Sequence, residues 1–163
     1  MKIFKSIKYF IICFATIVLE MTLGKYLSIS GTVPMLSFCL CLVIATKEKD
    51  PEYIHYIGII LGVLLDFLLG HGFGSFTVIF TLSVWVTFLF RDNIFSSLAV
   101  FLTIDTFILS ILLNVIYYLF HILDAGIDFG TMLAKIAFPT AVYNTIISIL
   151  FYLILKPTLY KRR

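Results

Sequence analysis

Three carboxylates, Glu20, Asp66 and Asp105, interrupt otherwise apolar stretches of this chain. An ionisable side chain at membrane depth costs at least about 2.5 kcal/mol on insertion scales, so it turns toward protein, where it either pairs or relays an ion or proton. The three sit on separate apolar segments at different depths, which favours pairing over a relay. Asp66 has the most ordered surroundings: in GIILGVLLDFLLGHGFG, the residues Gly58, Gly62, Asp66 and Gly70 recur every fourth position and share one stripe of a helix. Small residues at this spacing let another helix backbone approach closely, where dispersion contacts replace the missing hydrophobic driving force. The stripe therefore reads as helix-packing surface. Its carboxylate lies one turn from the tip His71, Gly72 and Gly74, where it could hydrate or meet His71.

Two further polar stripes share the four-residue period: Thr106, Ser110, Asn114 and Tyr118, then Thr140, Asn144, Ser148 and Tyr152. Antiparallel neighbours could pair them through interhelical hydrogen bonds of about 0.6 kcal/mol each, which set register more than stability. Asp105 flanks the first stripe and Glu20 lies one turn beyond Thr16; both need partners, and Lys135 is one candidate. Catalysis finds no constellation here. His55, His71 and His121 fall at segment boundaries, and no nucleophile stands beside a base. Cys13, Cys39 and Cys41 lie inside apolar runs without metal-ligand spacing and read as small hydrophobes. No cofactor or metal site is expected.

The elements that carry these residues follow from composition. Of 163 residues 61% are hydrophobic and 13% charged, with mean hydropathy +1.11, whereas soluble domains carry about 25% charged residues. At roughly 20 residues per span, six spans use about 120 residues and leave short loops only. The expected segments are Ile7–Leu27, a short Val33–Thr46, Ile54–Gly70, Phe73–Phe90, Phe95–Leu119 and Met132–Leu155, with Pro139 allowing a kink or a change of direction near the start of the last. The second is short enough that it must start near Leu27 or sit beside a thinned or protein-covered region. The charged start of MKIFKSIKYFIICFATIVLEMTLG reads as a retained first helix, since no small-residue cleavage site follows.

Ten of the twelve basic residues fall on one side of this arrangement: Lys2, Lys5, Lys8, Lys47, Lys49, Arg91, Lys156, Lys161, Arg162 and Arg163. Only Lys25 and Lys135 fall on the other, so both termini are expected in the cytoplasm, with an even number of spans. The fold class is thus an all-α integral membrane protein with six transmembrane helices, one transmembrane domain over residues 1–163. The net charge of +3 is a topology signal with an anionic-lipid contribution, and it carries no nucleic-acid site.

From Pro34 through Trp85 the chain resembles the bacterial rod shape-determining MreD family. The resemblance rests on a Pro-led apolar run at Pro34, the basic loop with Lys47 and Lys49, the stripe Gly58, Gly62 and Asp66, and the glycine-rich hairpin Gly70, Gly72 and Gly74. Met35 departs from it, standing where a small polar or acidic residue is expected. The resemblance implies a non-enzymatic subunit of the cell-elongation machinery in the bacterial cytoplasmic (inner) membrane. Its implied partner is MreC, a single-span scaffold. Through MreC or directly it would meet the RodA glycosyltransferase, RodA's class B transpeptidase partner and MreB filaments, and so influence peptidoglycan synthesis. Partner contact would use exposed helix surface and the outer loops around His71 and Ile122–Phe129. The family is also similar in fold to the S components of energy-coupling-factor transporters, which supplies the alternative of a vitamin-binding subunit. Such a subunit would carry a small-residue docking pair on its first helix, and Cys13–Glu20 shows no clear Ala-x-x-x-Ala.

Overall fold

In lipid a chain must satisfy its own backbone hydrogen bonds, and apolar segments of this length do so as helices. The computed structural model describes residues 2–24, 26–28, 32–69, 74–91, 97–119 and 128–159, and it is helical throughout, with no strand among the described residues. The elements are α1 (Lys2–Leu23), α2 (Leu36–Lys47), α3 (Pro51–Leu69), α4 (Ser75–Phe90), α5 (Leu98–Tyr117), α6 (Phe129–Met132), a π-helical turn (Leu133–Ala137) and α7 (Phe138–Leu159). The last three run on as one rod, so the described residues form six helical rods. Among the described residues three stretches, Pro51–Leu69, Leu98–Tyr117 and Phe129–Leu155, are long and apolar enough to cross a membrane.

Boundaries differ from the sequence expectation where backbone chemistry intervenes. The first helix begins at Lys2 and stops before Gly24, a turn earlier than expected, and Gly24 N donates to Glu20 O at 2.9 Å to close it. The second begins at Leu36, with its N-cap Met35 outside the helical region at φ −94° and ψ 86°. Pro51 opens α3 at its first position, where a missing N–H is harmless. Pro139 is the second residue of α7, directly after the π-helical turn Leu133–Ala137. Its ring would clash with the carbonyl four residues earlier, and the π turn just upstream absorbs the misfit, with Phe138 N donating to Leu133 O. Thr140 Oγ1 donates to Ile136 O at 2.6 Å across the same turn.

The organising element is the short one. With 12 residues α2 is about 18 Å long, far less than the roughly 30 Å hydrocarbon layer. Every residue from Leu36 to Thr46 is buried, against α1, α3, α4, α5 and α7. A helix apolar on all sides belongs at the centre of a bundle. Protein cover, foreseen as one solution for this segment, is the one observed. Around it the outward faces of the other helices carry apolar rows, such as Val100, Ile104, Ile108 and Leu112 on α5 and Val142, Ile146 and Ile149 on α7. An apolar exterior on this scale suits lipid rather than water.

The C-terminal end of α2 gathers side chains from across the bundle. Buried Arg91, at the end of α4, donates to Ala45 O at 3.0 Å and to Glu48 O, and lies over the Phe88 ring at 4.6 Å. Lys47 Nζ donates to Tyr152 O at 2.8 Å. Tyr9 OH donates to Glu48 Oε2 at 2.5 Å, while Glu48 Oε1 accepts from Lys49 N and Asp50 N to close the turn into α3. Tyr9 near one terminus and Tyr152 near the other thus meet the same end of α2. Removing the guanidinium by Arg91→Ala is expected to cost about 1–3 kcal/mol of stability, read as a lower melting temperature in detergent. Arg91→Lys should restore part of it, and a wild-type melting curve for Arg91→Ala would show that the carbonyls of Ala45 and Glu48 need no cap.

Candidate functional site

The first few N–H groups of any helix lack an intrahelical partner, and in a buried helix no water supplies one. Neither α2 nor α4 begins with a residue able to help: the N-cap positions are Met35 and Gly74, and neither makes a side-chain cap bond. In both cases a carboxylate arrives from the preceding helix. Asp66 of α3 accepts from Phe76 N at 2.9 Å through Oδ1, and from Gly74 N at 3.1 Å, Thr77 N at 3.0 Å and Thr77 Oγ1 at 2.6 Å through Oδ2. Glu20 of α1 accepts through Oε2 from Ser37 N at 2.8 Å and Ser37 Oγ at 2.5 Å. Negative charge at a helix N-terminus also meets the positive end of the helix dipole. The exposed start of α6 behaves differently and uses its own residue, Asp128 Oδ2 accepting from Thr131 N at 3.1 Å.

The glycine stripe determines how close α3 and α4 can come. A Cβ on Gly62 would lie 2.3 Å from Thr77 Cα and 2.7 Å from Thr77 N, an impossible overlap with backbone. At Gly58 the same atom would meet Phe80 O and Thr81 Cα at 3.3 Å, a tight contact that a small shift relieves. Contact at Gly62 brings the N-terminal turn of α4 within reach of Asp66, one turn along. Gly74, at φ +101°, supplies the left-handed residue from which α4 starts. Gly70, His71 and Gly72 lie outside the described residues, and Asp66 has its bonds on Gly74, Phe76 and Thr77.

The polar stripes of α5 and α7 meet at Ser110 and Asn144, with Asn144 Nδ2 donating to Ser110 Oγ at 3.1 Å. Asn144 serves α2 as well: its Oδ1 accepts from Met35 N at 2.9 Å, and its carbonyl accepts from Cys39 Sγ at 3.3 Å. The backbone N–H at the departing position Met35 is thereby capped from α7. Asn114 and Thr140 turn onto their own helices, donating to Ser110 O at 2.8 Å and Ile136 O at 2.6 Å. Thr106 and Ser148 are fully buried. Asp105 finds a partner on α4, Thr87 Oγ1 donating to its Oδ2 at 2.7 Å, while Lys135 is exposed.

These contacts bring Glu20, Ser37, Asn144 and Ser110 together around one end of α2, and keep Asp66 and Asp105 on separate helix pairs. Sequence reasoning did not find Ser37, Thr77, Thr87, Tyr9, Glu48 or Arg91 as partners. One signal was available. A helix preceded by Met or Gly, residues without a capping oxygen, calls for an acceptor from elsewhere, and Glu20 and Asp66 were two of the three carboxylates without an assigned partner.

The rod shape-determining protein MreD family matches residues 2–162. No curated protein and no solved structure matches the chain. Coverage of essentially the whole length means that the chain belongs to the MreD family, and it is a rod shape-determining membrane protein.

Gly62→Ala is expected to destabilise far more than Gly58→Ala, since one methyl meets backbone at 2.3 Å and the other has 3.3 Å. Thermal melting of the two variants in detergent checks the order, and equal melting points would argue against the close approach. Asp66→Ala, which strips the acceptor from three N–H groups, should cost about 1–3 kcal/mol. Asp66→Asn, which keeps one acceptor oxygen, should cost less in the same assay.

Proposed function

We propose that this MreD-family protein is a non-enzymatic scaffold of the bacterial cell-elongation complex. It forms one transmembrane unit of six spans in the cytoplasmic membrane, with both termini in the cytoplasm. It binds MreC, and through MreC or directly supports RodA, its class B transpeptidase partner and MreB in peptidoglycan synthesis. The observation that carries this reading is where the intramembrane chemistry goes. Glu20 and Asp66 hold helix N-termini and Asp105 bonds Thr87, so all three carboxylates join one helix to another. A body stiffened in this way presents a preorganised surface, and preorganisation lowers the ordering cost of binding another helix.

The charge distribution supports the orientation. Tyr9, Lys47, Glu48 and Arg91 meet at one end of α2, which supports the reading that the basic residues counted along the chain share one side. A phosphatase reporter that is active only outside the cytoplasm should be silent when fused after Arg163 or inserted at residues 92–96, and active when inserted at 121–127. Activity after Arg163 would overturn the even span count.

Purification of the tagged chain from native membranes tests the partner. MreC should copurify. Gly62→Leu, which crowds the α3–α4 contact, should lose MreC and give rounded cells, whereas normal rods with unchanged copurification would count against a packing role for the stripe. Recovery of a bound vitamin together with transporter ATPase subunits would replace the scaffold reading by that of an S component.

A further inference from the structure

A helix that faces lipid meets water where its exposed residues turn from apolar to charged, so exposed rows mark the edges of a protein's apolar belt. On α3 the exposed row Phe67, Val63 and Ile59 reaches Tyr56 and stops, because Glu52, one turn further toward the Arg91 end of the bundle, is an exposed carboxylate. Lysine lifts its charge to water along a long apolar stem. Glutamate has less stem to do so. On α5 the exposed row Ile108, Ile104, Val100 and Leu98 stays apolar to the first residue of the helix, with Ser97 before it.

The two rows end at different depths. Gly62 lies against Thr77 and Gly58 against Thr81, and the same register carried a turn and a half further sets Glu52 beside Thr87. Thr87 bonds Asp105 of α5, so Glu52 and Asp105 share a depth. The neighbour of Glu52 places it independently: the Tyr53 ring meets that of Tyr9, whose hydroxyl bonds Glu48 at the end of α2. From Asp105 the apolar row of α5 runs on for seven residues to Leu98, about 10 Å. At their other ends α4 and α5 are level, with the Phe76 and Tyr117 rings 6.1 Å apart. Helix α4 lies between, and its 16 residues span about 24 Å, short of a hydrocarbon layer of roughly 30 Å.

We infer that the apolar belt of this protein is stepped, about 10 Å thinner along α3 than along α5, so that phospholipids with shorter acyl chains sit against α3 and α4. The proposal rests on the membrane-spanning reading given above and not on its orientation. Neither edge can move to meet the other. Drawing Glu52 into hydrocarbon costs the burial of a charge, and leaving Leu98 and Val100 in water forfeits their transfer to lipid. Tilting the whole bundle moves the step toward the other leaflet without removing it, because α4 and α5 are level at Phe76 and Tyr117. A step of this kind sorts neighbours by span length, short ones to α3 and α4 and long ones to α5.

Tryptophan fluorescence of the full chain in phosphatidylcholine vesicles tests the step. Trp85, the one tryptophan, is exposed on α4, and Trp85→Phe frees the chain for a reporter at Ile59→Trp on α3 or Val100→Trp on α5. Competition between a brominated lipid and dimyristoleoyl, dioleoyl or dierucoyl phosphatidylcholine gives the acyl chain that each reporter prefers. Ile59→Trp, and Trp85 in the unaltered chain, should prefer dimyristoleoyl over dioleoyl chains by about twofold or more. Val100→Trp should prefer dioleoyl or longer chains and resist quenching by iodide in the surrounding water. One preferred chain at all three sites would overturn the proposal, as would a preference of Trp85 for dioleoyl or longer chains, which needs no variant to fold. Iodide quenching of Val100→Trp would overturn it by placing the start of α5 in water. Brominated lipid that quenches Val100→Trp but not Ile59→Trp would overturn it too, since protein would then cover α3. If brominated lipid quenches no reporter, the membrane-spanning reading itself fails.

Discussion

A twelve-residue helix surrounded by other helices creates a demand that the rest of the molecule is arranged to meet. Its first N–H groups and last carbonyls have no partner within the helix, and neither water nor lipid reaches them. Side chains must come from neighbours. Glu20 and Asn144 come from α1 and α7 to the N-terminal end, while Arg91 comes from α4 to the C-terminal end. Each visitor also locates the helix that carries it, so capping α2 and assembling the bundle around it are one process.

The same logic explains an apparent excess of cost. A carboxylate within a membrane segment is unfavourable alone, yet an unpaired buried N–H is also unfavourable, and placing one against the other removes both penalties. Asp66 does this for three N–H groups at once. The glycine stripe makes it possible, because Gly62 lets α4 approach until its first turn lies under the carboxylate. Close approach and charge compensation are thus coupled, and a residue that widened the contact at Gly62 would also weaken the cap at Asp66. For a rod shape-determining membrane protein the outcome is a stiff helical body with apolar outward faces.

Much of the architecture was legible from residue order. Apolar run lengths locate six helical rods, and the four-residue spacing of Gly58 and Gly62 marks a close contact whose partner proves to be α4. The stripes Thr106–Ser110–Asn114 and Thr140–Asn144–Ser148 meet at their centre in the Ser110–Asn144 bond. Their outer members were less readable. Asn114 and Thr140 back-bond within their own helices, since a local carbonyl is always in reach while a cross-helix partner depends on the local gap. Pro139 was legible as a perturbation, and the chain accommodates it with a π turn just upstream, where Phe138 N shifts its bond by one residue to Leu133 O.

What the sequence determined by itself is hydropathy and period: which stretches leave water, which face of each helix is small or polar, and where basic residues accumulate. These are properties of consecutive residues and of the helical repeat, so they need no knowledge of neighbours. Tertiary structure alone decided that Glu20 meets Ser37, that Asp105 meets Thr87, and that Arg91 closes the end of α2. Those pairs join different helices, and several N–H ends and hydroxyls compete for each acceptor. Only the packing of whole helices, governed by glycine contacts and by the complete burial of α2, selects among them.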